Sequence, residues 1–142
     1  MIEEIIAAIA RAISGEFGEG YTVYGEAVEQ NLQTPCFFVF CASEENRIQR
    51  PGRYRRDSLF AIQYLPQSRE EPSSECESVA GRLFLCLELI QLADGPVRGT
   101  GMRGEIVDGV LHFFVSYNLF LTMPRKLPLM EILDTDVKTK KG

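Results

Sequence analysis

The sequence predicts one α+β domain: an antiparallel sheet of about five strands, two helices packed on one face, and a long C-terminal hairpin. Apolar residues recur at helical spacing in two stretches, and several shorter apolar runs are separated by turn residues. Because the connections between these runs are mostly short, they join antiparallel neighbours. The helices are then expected to bury their apolar stripes against the same sheet.

The first half of the chain is predicted to contain one helix and two strands. The helix carries a stripe of isoleucines, has two glutamates in its first turn, where they favour the helix dipole, and ends near Ser14-Gly15. A short strand is predicted over residues 21–25. The run 36–41 is apolar at every position, which predicts a central strand covered on both faces. The isoleucines are Ile2, Ile5, Ile6, Ile9 and Ile13.

A polar, arginine-rich segment, residues 43–56, precedes the strand predicted at 59–65. We interpret this segment as a basic loop at the tip of a long hairpin. A second helix is predicted to begin at a capping box, residues 74–77, in which a hydroxyl and a glutamate satisfy backbone N–H groups. The turn residues 94–96 end it. Its buried stripe is predicted to comprise Cys76, Val79, Ala80, Leu83, Leu87 and Ile90.

Two further strands are predicted to form the C-terminal hairpin around Asp108-Gly109. This pair is a strong hairpin signal because both turn positions must adopt positive φ. At about 13 residues and ~3.3 Å per residue, the last strand would span ~43 Å, and we expect part of it to extend towards a neighbour. One face is an apolar row: Leu111, Phe113, Val115, Tyr117, Leu119 and Leu121. The other face is mixed, and we expect something to cover its phenylalanines: Val110, His112, Phe114, Ser116, Asn118 and Phe120.

The composition of the chain excludes several classes of function. The chain has 142 residues, 45% hydrophobic and 25% charged, as expected for one globular domain. A net charge of −5 argues against tight binding of nucleic acid. The amino terminus lacks the positive charge of a signal peptide, and no apolar run is long enough for a membrane span, so no membrane partner is expected. The four cysteines have no C-x-x-C pair and are expected to be reduced, without a metal.

Two motifs could carry chemistry, and neither is persuasive. Residues 99–104 match G-x-G-x-x-G, but a helix precedes them and a strand follows, the reverse of a dinucleotide site. A flexible or bulged start of a strand is the more natural use of these glycines. His112 is the only histidine, and the sequence indicates no partner carboxylate or pocket for it. We therefore expect no enzyme activity, no catalytic residue and no cofactor.

The arginine cluster is the one departure from the acidic average. Two interpretations are open: the loop pairs with an acidic partner or phosphate, or it is a solvated hairpin tip whose charges keep an edge soluble. The candidate contact residues are Arg47, Arg50, Arg53, Tyr54, Arg55 and Arg56.

The sequence resembles the phage tail terminator family from the first helix to about Leu121. The matching pieces are residues 26–32 with 35–39, Arg53-Tyr54-Arg55-Arg56, 63–66, Glu75-Cys76, Arg82-Leu83, 97–99 with Met102, and above all 105–113 with Tyr117. Residues 41–50 and the tail after Pro124 depart from the family pattern. The resemblance implies a domain over residues 1–124 and a charged tail over 125–142.

The resemblance also implies a function: a hexameric ring on the head-proximal end of a phage tail, assembled in the bacterial cytoplasm and carried in the virion. Such a ring stops growth of the tube, and of the sheath in contractile tails, and docks the neck. Expected partners are other copies of the chain, the tube protein, the sheath protein in contractile tails, a neck or connector protein, and DNA in transient, non-specific contact. We expect His112, Phe114, Asn118 and Phe120 to form the ring contact and the arginine loop to reach the tube or lumen. The alternatives are a head-tail connector and a small ligand-binding or enzymatic domain with His112 at a cleft.

Overall fold

A computed structural model, which describes residues 2–25 and 32–122, has the predicted α+β class. One six-stranded sheet runs in the order β1-β2-β3-β6-β5-β4, one strand more than predicted. The described residues divide into two compact units, 2–25 with 32–45 and 56–119, and 46–55 with 120–122. The predicted tail, 125–142, lies outside the described residues. The elements are α1 (Ile2–Phe17), β1 (Thr22–Tyr24), β2 (Cys36–Arg50), β3 (Arg53–Leu65), α2 (Pro72–Cys86), β4 (Leu89–Leu92), β5 (Gly95–Val107) and β6 (Val110–Thr122).

Helix α1 buries the predicted stripe. Ile5, Ile9 and Ile13 are fully buried in the core of the first unit. The helix runs to Phe17, slightly beyond the predicted stop, because Ser14 and Gly15 remain helical. Gly18 then takes φ 87°, and its N–H bonds to the Ser14 carbonyl, a helix end that favours glycine.

Strand β1 is parallel to β2, which makes the sheet mixed rather than antiparallel throughout. The prediction that residues 36–41 are covered on both faces was wrong. Phe37 and Val39 are buried, whereas Phe40 on the opposite face is 40% exposed. Both described helices lie on the face of Phe37 and Val39, and the second row of side chains becomes more accessible along the strand, from fully buried Cys36 to Phe40.

The prediction of a loop over residues 43–56 was also wrong. Strand β2 continues to Arg50, β3 begins at Arg53, and only Pro51-Gly52 forms the turn. Gly52 has φ 80° after a proline, the residue order that a type II turn requires. The arginines therefore stand on strands, with a fixed alternation of side-chain direction.

The second helix begins at Pro72, so the predicted capping box at residues 74–77 was wrong. Proline suits the first helical turn because its missing N–H has no partner there. Glu75 instead accepts hydrogen bonds from the Tyr64 hydroxyl and from the N–H groups of Gln67 and Ser68, 2.9 Å each for the last two. It thereby ties the β3–α2 connection to the start of the helix.

Helix α2 ends at Cys86, where the Leu87 N–H bonds to the Leu83 carbonyl, and β4 follows directly. The predicted helix had run on to the turn at 94–96. Ile90 is buried as predicted, but from β4, which pairs antiparallel with β5.

The β5–β6 hairpin confirms the strongest sequence prediction. Asp108 and Gly109 have φ 52° and 75°, and β6 is 13 residues long. The core face of β6 is buried from Leu111 to Tyr117, within a cluster that also holds residues of both helices. The ladder shifts register between Thr100 and Arg103, and Gly101 has φ 59°. The glycines at 99–104 thus serve a β-bulge, as expected from their position.

Candidate assembly surfaces

The face of the sheet opposite the helices, which we call the open sheet face, holds most of the predicted ring contact. His112, Phe114 and Asn118 all lie on it and are half-buried, while their neighbours Phe113 and Tyr117 point into the core. This alternation follows from the period of two along β6. On this surface of the first unit, these three side chains are therefore partly accessible to solvent.

A compact side-chain cluster gives this surface its chemistry. Arg103 pairs with Phe114 across the β5–β6 ladder, and its guanidinium carbon lies 4.4 Å from the ring centroid. The Arg103 Nη1 atom donates a 2.5 Å hydrogen bond to the Glu105 carboxylate, and Glu105 pairs with His112. A cation over an aromatic face is attracted by the ring quadrupole. The cluster thus combines an apolar ring with both signs of charge.

Sequence reasoning missed Arg103 and Glu105. The turn at Asp108-Gly109 sets a register that pairs both Glu105 with His112 and Arg103 with Phe114, and the bulge lies beyond these pairs, between Thr100 and Arg103. The hairpin signal could therefore have found both residues, but the sequence prediction named no cross-strand pairs.

Phe120 stands apart from the other three predicted residues because it belongs to the second unit. It is 63% exposed. Together with Gln49, Arg50 and Arg53 it lines a concavity of about 300 Å³. The structure therefore joins one residue of the predicted ring contact to two residues of the predicted tube or lumen contact, a combination that the sequence did not predict.

The other basic residues differ in exposure. Arg47, Arg50 and Arg53 are exposed, whereas Tyr54, Arg55 and Arg56 are half-buried. The Arg56 Nε atom lies 3.8 Å from a carboxylate oxygen of Glu44. Arg50 and Arg53, which flank the Pro51-Gly52 turn, are the accessible cations of this hairpin best placed to meet a partner.

A cleft of about 440 Å³ lies between α1, the end of α2 and β4 in the first unit. The Arg11 guanidinium spans one side and donates to the Gln91 carbonyl at 3.2 Å. Burial, with a contribution from Glu16, raises the pKa of the Cys86 thiol to about 11, so that this lining thiol is protonated at neutral pH. His112 is not among the described residues that line this cleft, which are Ala8, Arg11, Ala12, Gly15, Glu16, Cys86, Leu89, Ile90 and Gln91.

Within residues 2–25 and 32–122, no helix combines the length and the apolar character needed to cross a membrane. In the same part of the chain, His, Cys, Asp and Glu side chains do not gather in groups of three or more that could hold a metal ion.

The fold and these surfaces define a small α+β protein with a half-apolar sheet face and a basic hairpin. The family description "phage tail terminator protein" matches residues 4–127, and the chain belongs to that family. No curated protein sequence matches the chain. Membership gives the protein a structural role in the phage tail, places it in the tail of the virion, and points to a function without catalysis.

Proposed function

We propose that the chain assembles into a hexameric ring that caps the head-proximal end of a phage or phage-like tail. The ring stops polymerisation of the tube, and of the sheath where one is present, and offers a docking surface to the neck. The observation that carries this proposal is the family match over residues 4–127, which covers α2, the six described strands and all but the first two residues of α1.

The open sheet face supports the ring. A closed ring needs heterologous contacts, in which one patch meets a different patch on the next copy. The cluster around Phe114 supplies an apolar centre, and Arg103 supplies a charge that fixes orientation. His112 and Asn118 add polar groups on the same face. In this proposal the ring contact covers all of these residues.

The basic hairpin supports contact with the tube or the lumen. Arg50 and Arg53 are exposed and line one concavity with Phe120. Guanidinium groups bind carboxylate or phosphate by two parallel hydrogen bonds, so they suit an acidic loop of the tube protein. Two or three arginines on an acidic body would also touch passing DNA weakly and without reading its sequence.

Assembly in the cytoplasm of the bacterial host, with tube, sheath and neck proteins as partners, completes the proposal. A head-tail connector would use the same surfaces in a ring with a different number of copies.

Native mass measurement tests this proposal directly. The purified protein is weighed alone and after mixing with tail tubes, and any large species is imaged by electron microscopy. We expect a sixfold ring, or single copies that bind only at tube ends. A protein that stays monomeric and ignores tubes would contradict the proposal, and a ring with another subunit count would favour the connector.

A further inference from the structure

The outer face of α2 carries an acidic and apolar stripe that the core does not use. Glu77, Gly81 and Leu85 recur every four residues along the helix, Glu88 follows just after the C-cap residue Leu87, and all four are exposed. At 100° per residue the three helical residues fall within one sector, opposite the buried side of the helix. Leu85 is 75% exposed, more than any other large hydrophobic residue of the described part of the chain.

Gly81 is the unusual member of this stripe. It lies in the middle of a helix, where glycine is less favourable than almost any other residue. A Cβ atom at this position would meet nothing within 4 Å. The packing of the chain itself therefore does not require glycine here. A residue without a side chain does, however, let another molecule approach the helix backbone closely.

The open sheet face and the α2 stripe lie on opposite layers of the same unit. We infer that in the ring the open sheet face of one copy packs against the α2 stripe of the next. This inference rests on the proposed function and names the second patch that a heterologous contact requires. The sheet face offers the Phe114 ring and the Arg103 cation, while the stripe offers Leu85 and a carboxylate at each end.

The electrostatics of this contact are complementary. Arg103 and its partner Glu105 are both 57% exposed, as side chains, in the isolated chain. Exposed ion pairs contribute little, so Arg103 can exchange or share its partner on association. The Glu88 carboxylate likewise forms an exposed pair, with Arg98 at 2.9 Å. Because the chain is acidic overall, a stripe with a carboxylate at each end favours a partner surface that presents an arginine.

The test uses Gly81→Gln in the full chain. Glutamine favours the helix, so the variant monomer should melt no lower than the wild type. We expect at least about a tenfold loss of ring, measured by native mass with and without tubes, because the side chain blocks close approach. Glu19→Lys, in the loop after α1, is the control and should leave the ring unchanged.

A charge exchange gives a second readout. Arg103→Glu alone, or Glu77→Arg with Glu88→Arg, should each weaken the ring, and all three changes together should restore it in part. If the wild type forms a ring and Gly81→Gln forms it equally well, or if the triple variant is no better than its parts, this contact is wrong while the proposed function stands. If the wild type forms no ring and does not bind to tube ends, the proposed function itself fails.

Discussion

The hydroxyl of Tyr117 donates a 2.6 Å hydrogen bond to the carbonyl oxygen of Leu87. Both residues are fully buried. Leu87 caps the carboxyl end of α2, where carbonyl groups have no partner within the helix. The bond therefore satisfies a helix end from the centre of β6 and fixes the helix against the strand that carries the proposed ring contact.

Tyr117→Phe should lower the free energy of unfolding by about 1–3 kcal/mol, because it leaves the Leu87 carbonyl buried without this partner. Urea denaturation measures the effect. Tyr24→Phe is a suitable control, since the Tyr24 hydroxyl accepts a long, 3.4 Å bond from the Gln33 N–H near the surface, and it should change stability by less than about 0.5 kcal/mol. Equal effects of the two variants would show that the buried hydrogen bond does not add to the free energy of unfolding.

Gly99→Ala should be destabilising for a steric reason at the same place. An added Cβ would lie 2.7 Å from the Leu87 carbonyl oxygen and 2.8 Å from the Val115 Cγ2 atom. Backbone cannot move aside cheaply in a packed core, so we expect a loss of about 1–3 kcal/mol. Gly81→Ala is the matched control, because nothing crowds that position and alanine favours the helix; it should add about 1 kcal/mol. Thermal melting compares the two, and a stabilising Gly99→Ala would refute the crowding.

Glu75 should make stability depend on acid pH. Burial tends to raise the pKa of this carboxyl, but hydrogen bonds from Tyr64, Gln67 and Ser68 outweigh burial and lower it. A carboxylate with a lowered pKa in the folded state contributes stability that is fully present above its ordinary pKa of about 4.3 and is lost as pH falls through the folded value. Glu75→Gln should therefore cost about 1 kcal/mol at pH 7 and flatten the pH dependence below about pH 4.3. Urea denaturation at several pH values measures both. If the wild type and the variant lose stability in parallel on acidification, Glu75 is not the group responsible.

The sequence predicted those parts of the fold whose conformation depends on neighbouring residues alone. The β5–β6 hairpin was predicted because Asp108-Gly109 decides its own turn geometry. Strand β4 was missed because Ile90 continues the helical apolar spacing of Leu83 and Leu87, so that the pattern was the same for either structure. The turn at Pro51-Gly52 was not predicted, because the polar residues around it lack the alternation that indicates a strand on either side.

The site was predictable only in its outline. Sequence alone placed His112, Phe114 and Asn118 on the face opposite the core, since alternation along one strand is sufficient for that. The pairing of Phe114 with Arg103 follows from the register of the turn at residues 108–109, whereas the grouping of Phe120 with Arg50 joins segments far apart in the chain. Tertiary structure brings residues so distant in sequence together, and the sequence pattern does not record it.

Replacing Arg50 and Arg53 by glutamate should impair tail completion while leaving the fold intact. Both residues are exposed and flank a two-residue turn, so charge reversal should change the free energy of unfolding by less than about 0.5 kcal/mol. The concavity that they line with Phe120 would then repel an acidic partner. Binding to tube ends, counted in electron images at two salt concentrations, measures the effect. Arg69→Glu, an exposed arginine in the β3–α2 connection, is the control. If the double variant caps tubes normally, the arginines of this hairpin are solvated and do not contact a partner.

Phe114→Asp should separate assembly from folding most clearly. The Phe114 side chain is half-buried on the open sheet face and contacts Arg103 rather than the core. We therefore expect the monomer to lose only about 1 kcal/mol of stability, from the lost cation–π contact and apolar area. In the proposed ring the same change places a carboxylate at the centre of a contact, which should reduce association by more than about a hundredfold. Sedimentation or native mass over a concentration series measures this. Glu19→Lys, an exposed change of charge in the loop after α1, is the control and should leave the ring unchanged. A Phe114→Asp protein that still forms a ring of wild-type stability would exclude the open sheet face as the ring contact.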